Sequence, residues 1–128
     1  MRYLTILISA ALLGAVACRT APVRNVDRTA FSVAPTAQMA QVSEAIWAAG
    51  RREGWRVREI GPGDIRAEKS VRNHRALVAI HYDTAGFDIR LIEADGLLYD
   101  GRYVHKACNE WIAQLEKAIQ DEVRFRFS

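Results

Sequence analysis

Between Met39 and Val123 the apolar side chains change period twice, from a helical repeat to alternation and back. Met39, Val42, Ile46 and Ala49 recur at three- and four-residue intervals, which predicts an amphipathic helix. Thr36 is placed to cap its start, and Gly50 or Gly54 to end it. From Trp55 onward the period is two. Trp55 and Val57 alternate with Arg56 and Arg58, and Ile65, Ala67 and Val71 with Arg66, Glu68 and Ser70. Ala76, Val78, Ile80 and Tyr82 then face one way, with Leu77, Ala79 and His81 facing the other. Phe87, Ile89 and Leu91 continue the inward set. The breaks at Gly61-Pro62-Gly63, Asn73-His74 and Asp83 to Gly86 are short, so the strands should join as antiparallel hairpins. Cys108, Trp111, Ile112, Leu115, Ala118, Ile119 and Val123 restore the helical repeat, predicting a second helix of about four turns. The tail "RFRFS" alternates again, either as a strand or as a frayed end.

The order is therefore α-β-β-β-β-α. Two helices with one apolar stripe each can cover one face of a sheet, which gives an α+β two-layer sandwich on an antiparallel sheet. That sheet has four strands, or five if Leu97–Tyr99 pairs into it.

The first residues follow another rule. Arg2 precedes an almost unbroken apolar run, Leu4 to Val16. Its 13 residues fall short of the roughly 20 that span a bilayer core. Residues 1–17 read as a secretory signal peptide, with Ala15-Val16-Ala17 as a small-x-small cleavage site. Cys18 follows at once, and the four residues together resemble a bacterial lipobox, whose cysteine receives a diacylglyceryl group. Ala15 stands where that pattern usually has a large aliphatic residue. The resemblance implies a membrane anchor at Cys18, and Arg19 beyond it carries no inner-membrane retention signal. The implied address is the periplasmic side of the outer membrane. Residues 18–35 hold Pro22 and Pro35 and no sustained period, so they are expected to form the lipidated cysteine and a tether of about 55 Å at full extension. Phe31 and Val33 alternate within it as a short edge strand. Residues 36–128 make one domain.

Charge removes one class of partner. Eighteen basic residues face fifteen acidic ones, a net +3, and the leader takes Arg2 with it. So small a surplus does not support nucleic-acid binding. Two cysteines, Cys18 and Cys108, make no disulfide framework. With Cys18 acylated, Cys108 is a lone thiol in an oxidising compartment.

Candidate chemistry is sparse. His74, His81 and His105 show no metal-ligand spacing, so neither a metal nor a cofactor is expected. Asp83, Asp88, Glu93, Asp95 and Asp100 cluster in the second half, but four of them fall at turns or strand ends, where aspartate stabilises the turn itself. Nucleophile-elbow, phosphate-loop and zinc-helix motifs are lacking. His105 and Cys108 are the one pair a small hydrolase or redox protein would use, one helical turn apart at the start of the last helix. Cys108, however, shares the stripe of Trp111, Ile112 and Leu115, where cysteine packs as a small hydrophobe. Trp55 and Trp111 belong to the expected core, and Trp47 lies beside its stripe with an edge toward solvent. The outward sheet face should carry Arg56, Arg58, Arg66, Arg75 and Arg90, with Asp64, Glu68 and Asp88 between them, around Leu77, Ala79 and Ile92. The arginines there suit a solvated face laced by cross-strand ion pairs. An apolar centre with an arginine rim also suits a partner surface, and Arg58, Arg66, Leu77, Arg90 and Ile92 are its candidate contacts.

"REGW" (52–55), "GDIRAEKS" (63–70), "ALVAIHYD" (76–83), "LLYDG" (97–101) and "YVHKACNEW" (103–111) together resemble a family of small bacterial lipoproteins of unassigned function. Cys108 occupies a place where that family usually has an aromatic residue before Asn-x-Trp. The resemblance implies a lipobox followed by an α+β domain and supplies no catalytic residues. The combined expectation is a non-enzymatic, lipid-anchored module that binds another envelope component, a protein or an anionic polymer, through its open sheet face.

Overall fold

The computed structural model describes residues 19–33 and 36–128. Residues 1–18, on which the readings of signal peptide and lipidation fall, and residues 34 and 35 of the expected tether lie outside the described residues. The elements in chain order are β1 (Thr20–Pro22), β2 (Val26–Ala30), α1 (Met39–Arg52), β3 (Arg56–Gly61), β4 (Asp64–Val71), β5 (His74–Tyr82), β6 (Gly86–Asp95), β7 (Tyr103–His105) and α2 (Lys106–Phe127). A five-stranded antiparallel sheet runs β2-β6-β5-β4-β3, and β1 pairs with β7 in a separate ribbon.

The alternating segments become the meander β3 to β6. Ile65, Ala67, Ala76, Val78, Ile80, Phe87 and Ile89 point inward and are fully buried. They meet Val42, Ala45, Ile46 and Ala49 of α1 and Cys108, Leu115 and Ile119 of α2 in one continuous core. Removing this apolar surface from water is the main driving force for the fold. The result is the expected α+β architecture with one helical layer.

Four details differ from the sequence-based expectation. The fifth strand is β2 on the β6 edge, not Leu97–Tyr99: Gly96 (φ +68) and Leu98 (φ +57) turn the backbone away from an extended path. The segment expected as a tether thus folds onto the domain from Thr20 onward. Gly86 makes this possible, because a Cβ there would sit 2.4 Å from the Thr29 carbonyl oxygen. Phe31 forms no strand but stacks on Phe87 with centroids 5.4 Å apart. Second, α1 begins at Met39 after Gln38, whose backbone N–H donates to Gln41 Oε1 at 2.9 Å, rather than at Thr36. Gly54 (φ +86) follows its end, while Gly50 is buried inside the helix. Third, α2 continues through "RFRF" to Phe127, because four alternating residues cannot override a helix already about five turns long. Fourth, Val71 at the end of β4 is exposed rather than inward.

The sheet has two distinct ends. At the hairpin end lie the Gly61–Gly63 turn, the Asp83–Ala85 turn and the start of α1, with Met39 beside Gly63. At the ribbon end lie Arg72–Asn73, the loop from Gly96 to Arg102, the β1-β7 ribbon and the start of α2. Gly96 packs against the Asn73 carbonyl, and the His105 N–H donates to the Leu97 oxygen at 2.7 Å.

Candidate functional site

The helices cover one face of the sheet, and the alternate residues of the same strands form the other. Cross-strand register orders this open face into rows. Asp64, His81 and Asp88 form the first, next to the hairpin end. Arg58, Arg66, Ala79 and Arg90 form the second, one residue from each of four adjacent strands. Arg56, Glu68, Leu77 and Glu93 form the third, and Ser70, Arg75 and Asp95 the last.

Charge is distributed unevenly over these rows. Arg75 binds Glu68, Glu93 and Asp95 at 3.1, 3.2 and 2.9 Å, and these carboxylates hold its guanidinium charged far above neutral pH. It has little left to offer a partner. His81 stands between Asp64 (3.6 Å) and Asp88 (3.3 Å).

The second row is different. Arg66 pairs with Asp64, and Arg90 meets Asp27 only at 3.5 Å, with both side chains largely exposed. Arg58 has no carboxylate within ion-pair range among the described residues and faces Arg66 directly. Like charges directly opposite on a sheet repel. Ala79 is only 4% exposed although it lies on the open face. Its cross-strand neighbours are Arg66 and Arg90, whose long stems are suited to covering it.

Arg56, Arg58, Arg66, Glu68 and Leu77 line a shallow depression of about 380 Å³ beside this row. The structure thus brings Arg58, Arg66 and Leu77 together. Arg90 lies on the second strand beyond Arg66, about 10 Å away by strand spacing. Ile92, 40% exposed, occupies a bulge in β6 opposite the Leu77–Val78 step.

The sequence did not single out a second concavity, on the helical side at the hairpin end. Met39, Ser43 and Trp47 of α1 and Glu59, Ile60 and Pro62 of the β3-β4 hairpin line a groove of about 910 Å³. Glu59 Oε1 accepts from Tyr82 Oη at 2.8 Å and from Ser43 Oγ at 3.0 Å. Burial raises the Tyr82 pKa and the Glu59 carboxylate adds to this, so the phenol keeps its proton. One signal was present: Glu59 follows Trp55 and Val57 in the inward period, a carboxylate where an apolar residue belongs. No histidine joins this cluster, since His81 is on the open face and His74 and His105 are at the ribbon end.

Cys108 is fully buried in the first turn of α2, and burial pushes its thiol up to about 11. His105 Nδ1 accepts from the Ala107 N–H at 3.0 Å and caps the helix. Both residues are occupied by structure, and the thiolate needed for nucleophilic or redox chemistry is scarce at neutral pH. Among the described residues no three His, Cys, Asp or Glu side chains cluster as metal ligands. Nor is any described helix long and apolar enough to cross a membrane.

No family model, curated protein or solved structure matches this chain. The surfaces must therefore be read from their own geometry.

Proposed function

We propose that this protein is a non-enzymatic, lipid-anchored periplasmic module that grips an acidic surface of another envelope protein with its open sheet face. The row Arg58–Arg66–Ala79–Arg90 is the observation that carries this reading. It sets one unpaired and one loosely paired guanidinium on the sheet, and it places Arg58 directly across from Arg66, a like-charge pairing that an incoming carboxylate would relieve. Leu77 and Ile92 supply apolar area beside the charges, which suits a protein surface better than a bare anionic polymer. The leader and Cys18 pattern supports the address and the anchor.

The test places a photo-cross-linking residue at Leu77 in the lipoprotein within its own envelope. A discrete protein adduct is expected, lost when Arg58→Glu and Arg90→Glu are combined while the circular dichroism stays unchanged. An adduct of equal yield in the double variant would sink the assignment to this face. A protease-resistant adduct would reassign the partner as a polymer.

A further inference from the structure

Cations without a carboxylate partner gather at the ribbon end. Arg19, Arg72, Arg102 and Lys106 are all exposed there, and none has a carboxylate within ion-pair range among the described residues. Backbone contacts tie them to one place. The Lys106 N–H donates to the Arg19 oxygen at 3.1 Å, and Val23, just after β1, donates to the Arg102 oxygen at 2.8 Å. Arg72 adjoins Asn73, against which Gly96 packs. The carboxylate of Asp100 lies in the same loop but accepts from the Arg102 and Tyr103 N–H groups, and these hold its pKa below the usual range. At the hairpin end, by contrast, Arg28 pairs with Asp83 and Arg66 with Asp64.

Two apolar side chains stand among these cations. Leu98 is 58% exposed and Tyr103 45%. Leu98 is also left-handed (φ +57), a conformation that disfavours any residue with a Cβ. A leucine both strained and displayed to water is poorly explained by folding, and such outliers concentrate at functional surfaces. Basic side chains with an exposed leucine and tyrosine on the adjoining loop and strand match a membrane interface, where tyrosine sits at headgroup level and cations meet lipid phosphate.

The position of the chain adds a third observation. Arg19 is hydrogen-bonded to the start of α2, and Cys18 precedes it by one peptide bond. An anchor at Cys18 would leave no tether between bilayer and domain, and the ribbon end would be the part held at the surface.

We infer that the ribbon end, through Arg19, Arg72, Leu98, Arg102, Tyr103 and Lys106, is a contact surface for anionic phospholipid headgroups and seats the domain directly on its leaflet. This deepens the anchored reading above, but the surface itself consists of described residues only. In an acylated protein the lipid would hold the domain, and this surface would orient it.

The test uses the mature chain with Cys18→Ser, which cannot be acylated and retains every described residue. It should sediment with vesicles of phosphatidylethanolamine and phosphatidylglycerol, release as salt rises, and ignore vesicles of phosphatidylcholine alone. Each basic residue near an anionic leaflet contributes roughly fivefold in association. Arg102→Glu with Lys106→Glu should therefore weaken it by at least about 20-fold. Lys106 lies in the first turn of α2, where an acidic residue is suited, and Arg102 is exposed with no ion pair to lose among the described residues, so the circular dichroism should stay unchanged. Leu98→Asn should weaken binding several-fold while raising the melting temperature, because asparagine tolerates the left-handed backbone. Equal sedimentation with both vesicle types, or a charge-reversed protein that binds as before, would overturn the inference. The intact mass of the native protein separates the two readings. An acyl group without vesicle binding by the Cys18→Ser chain leaves the anchor and removes the surface. Vesicle binding without an acyl group does the reverse.

Discussion

The covered and open faces of the sheet are made by the same strands, often by adjacent residues, yet physical chemistry treats them in opposite ways. On β5, Val78 and Ile80 are sealed under the helices, while Leu77 and His81 look outward. On the covered face identity is set by volume and transfer from water. On the open face it is set by charges whose net worth to folding is small, so the arginines there are free to serve another purpose. An exposed ion pair contributes at most about 1 kcal/mol, against several for a buried aromatic ring.

Substitutions on each face test this contrast. Phe87→Ala, which removes a ring stacked on Phe31 and packed in the core, should cost about 3–5 kcal/mol in urea denaturation. A loss below 1 kcal/mol would mean that the covered face is not the folding core. Lys69 sharpens the comparison because it is a cation on the covered side, at its edge. Its Nζ donates to the Glu53 carbonyl at 2.9 Å and lies 6.0 and 5.3 Å from the rings of Trp55 and Trp111. Lys69→Met keeps the stem but loses these contacts and should cost about 1–2 kcal/mol, more than an exposed ion pair on the open face. Arg58→Thr should be the smallest change, neutral or stabilising by a few tenths of a kcal/mol, since it removes the repulsion with Arg66. A clear destabilisation in thermal melts would show that Arg58 is held by folding and weaken its assignment to a partner.

The sequence revealed these two faces wherever a local period carries the information. Strands β3 to β6 are joined by turns of a few residues, and each repeats its inward set at least twice. β2 was hidden for a physical reason. It has five residues, and Arg28 (φ +56) with a bulge between Val26 and Thr29 breaks the alternation that would have marked it. β1 is Thr-Ala-Pro, with no pattern at all, and only its partner β7 makes it a strand. The arginine row was legible because alternation alone assigns Arg58, Arg66 and Arg90 to one face. Their pairing was not, since the nearest carboxylate in space depends on register between strands. The ribbon-end cluster depended on long-range contacts, the pairing of β1 with β7 for Arg19 and the packing of Gly96 on Asn73 for Arg72, and so it could not be anticipated.

That pairing also has a consequence in time. Thr20 meets His105 across 85 positions of sequence, and Val26 meets Ile89 across 63. The meander can zip locally as its hairpins close, but β2 and β1 must wait for long loops to close and for almost the whole domain to emerge. The segment beside residue 18 is therefore among the last to settle. The chain from Thr20 to Ala30 would stay extended through most of folding and be drawn onto the domain only when the rest of the fold is complete.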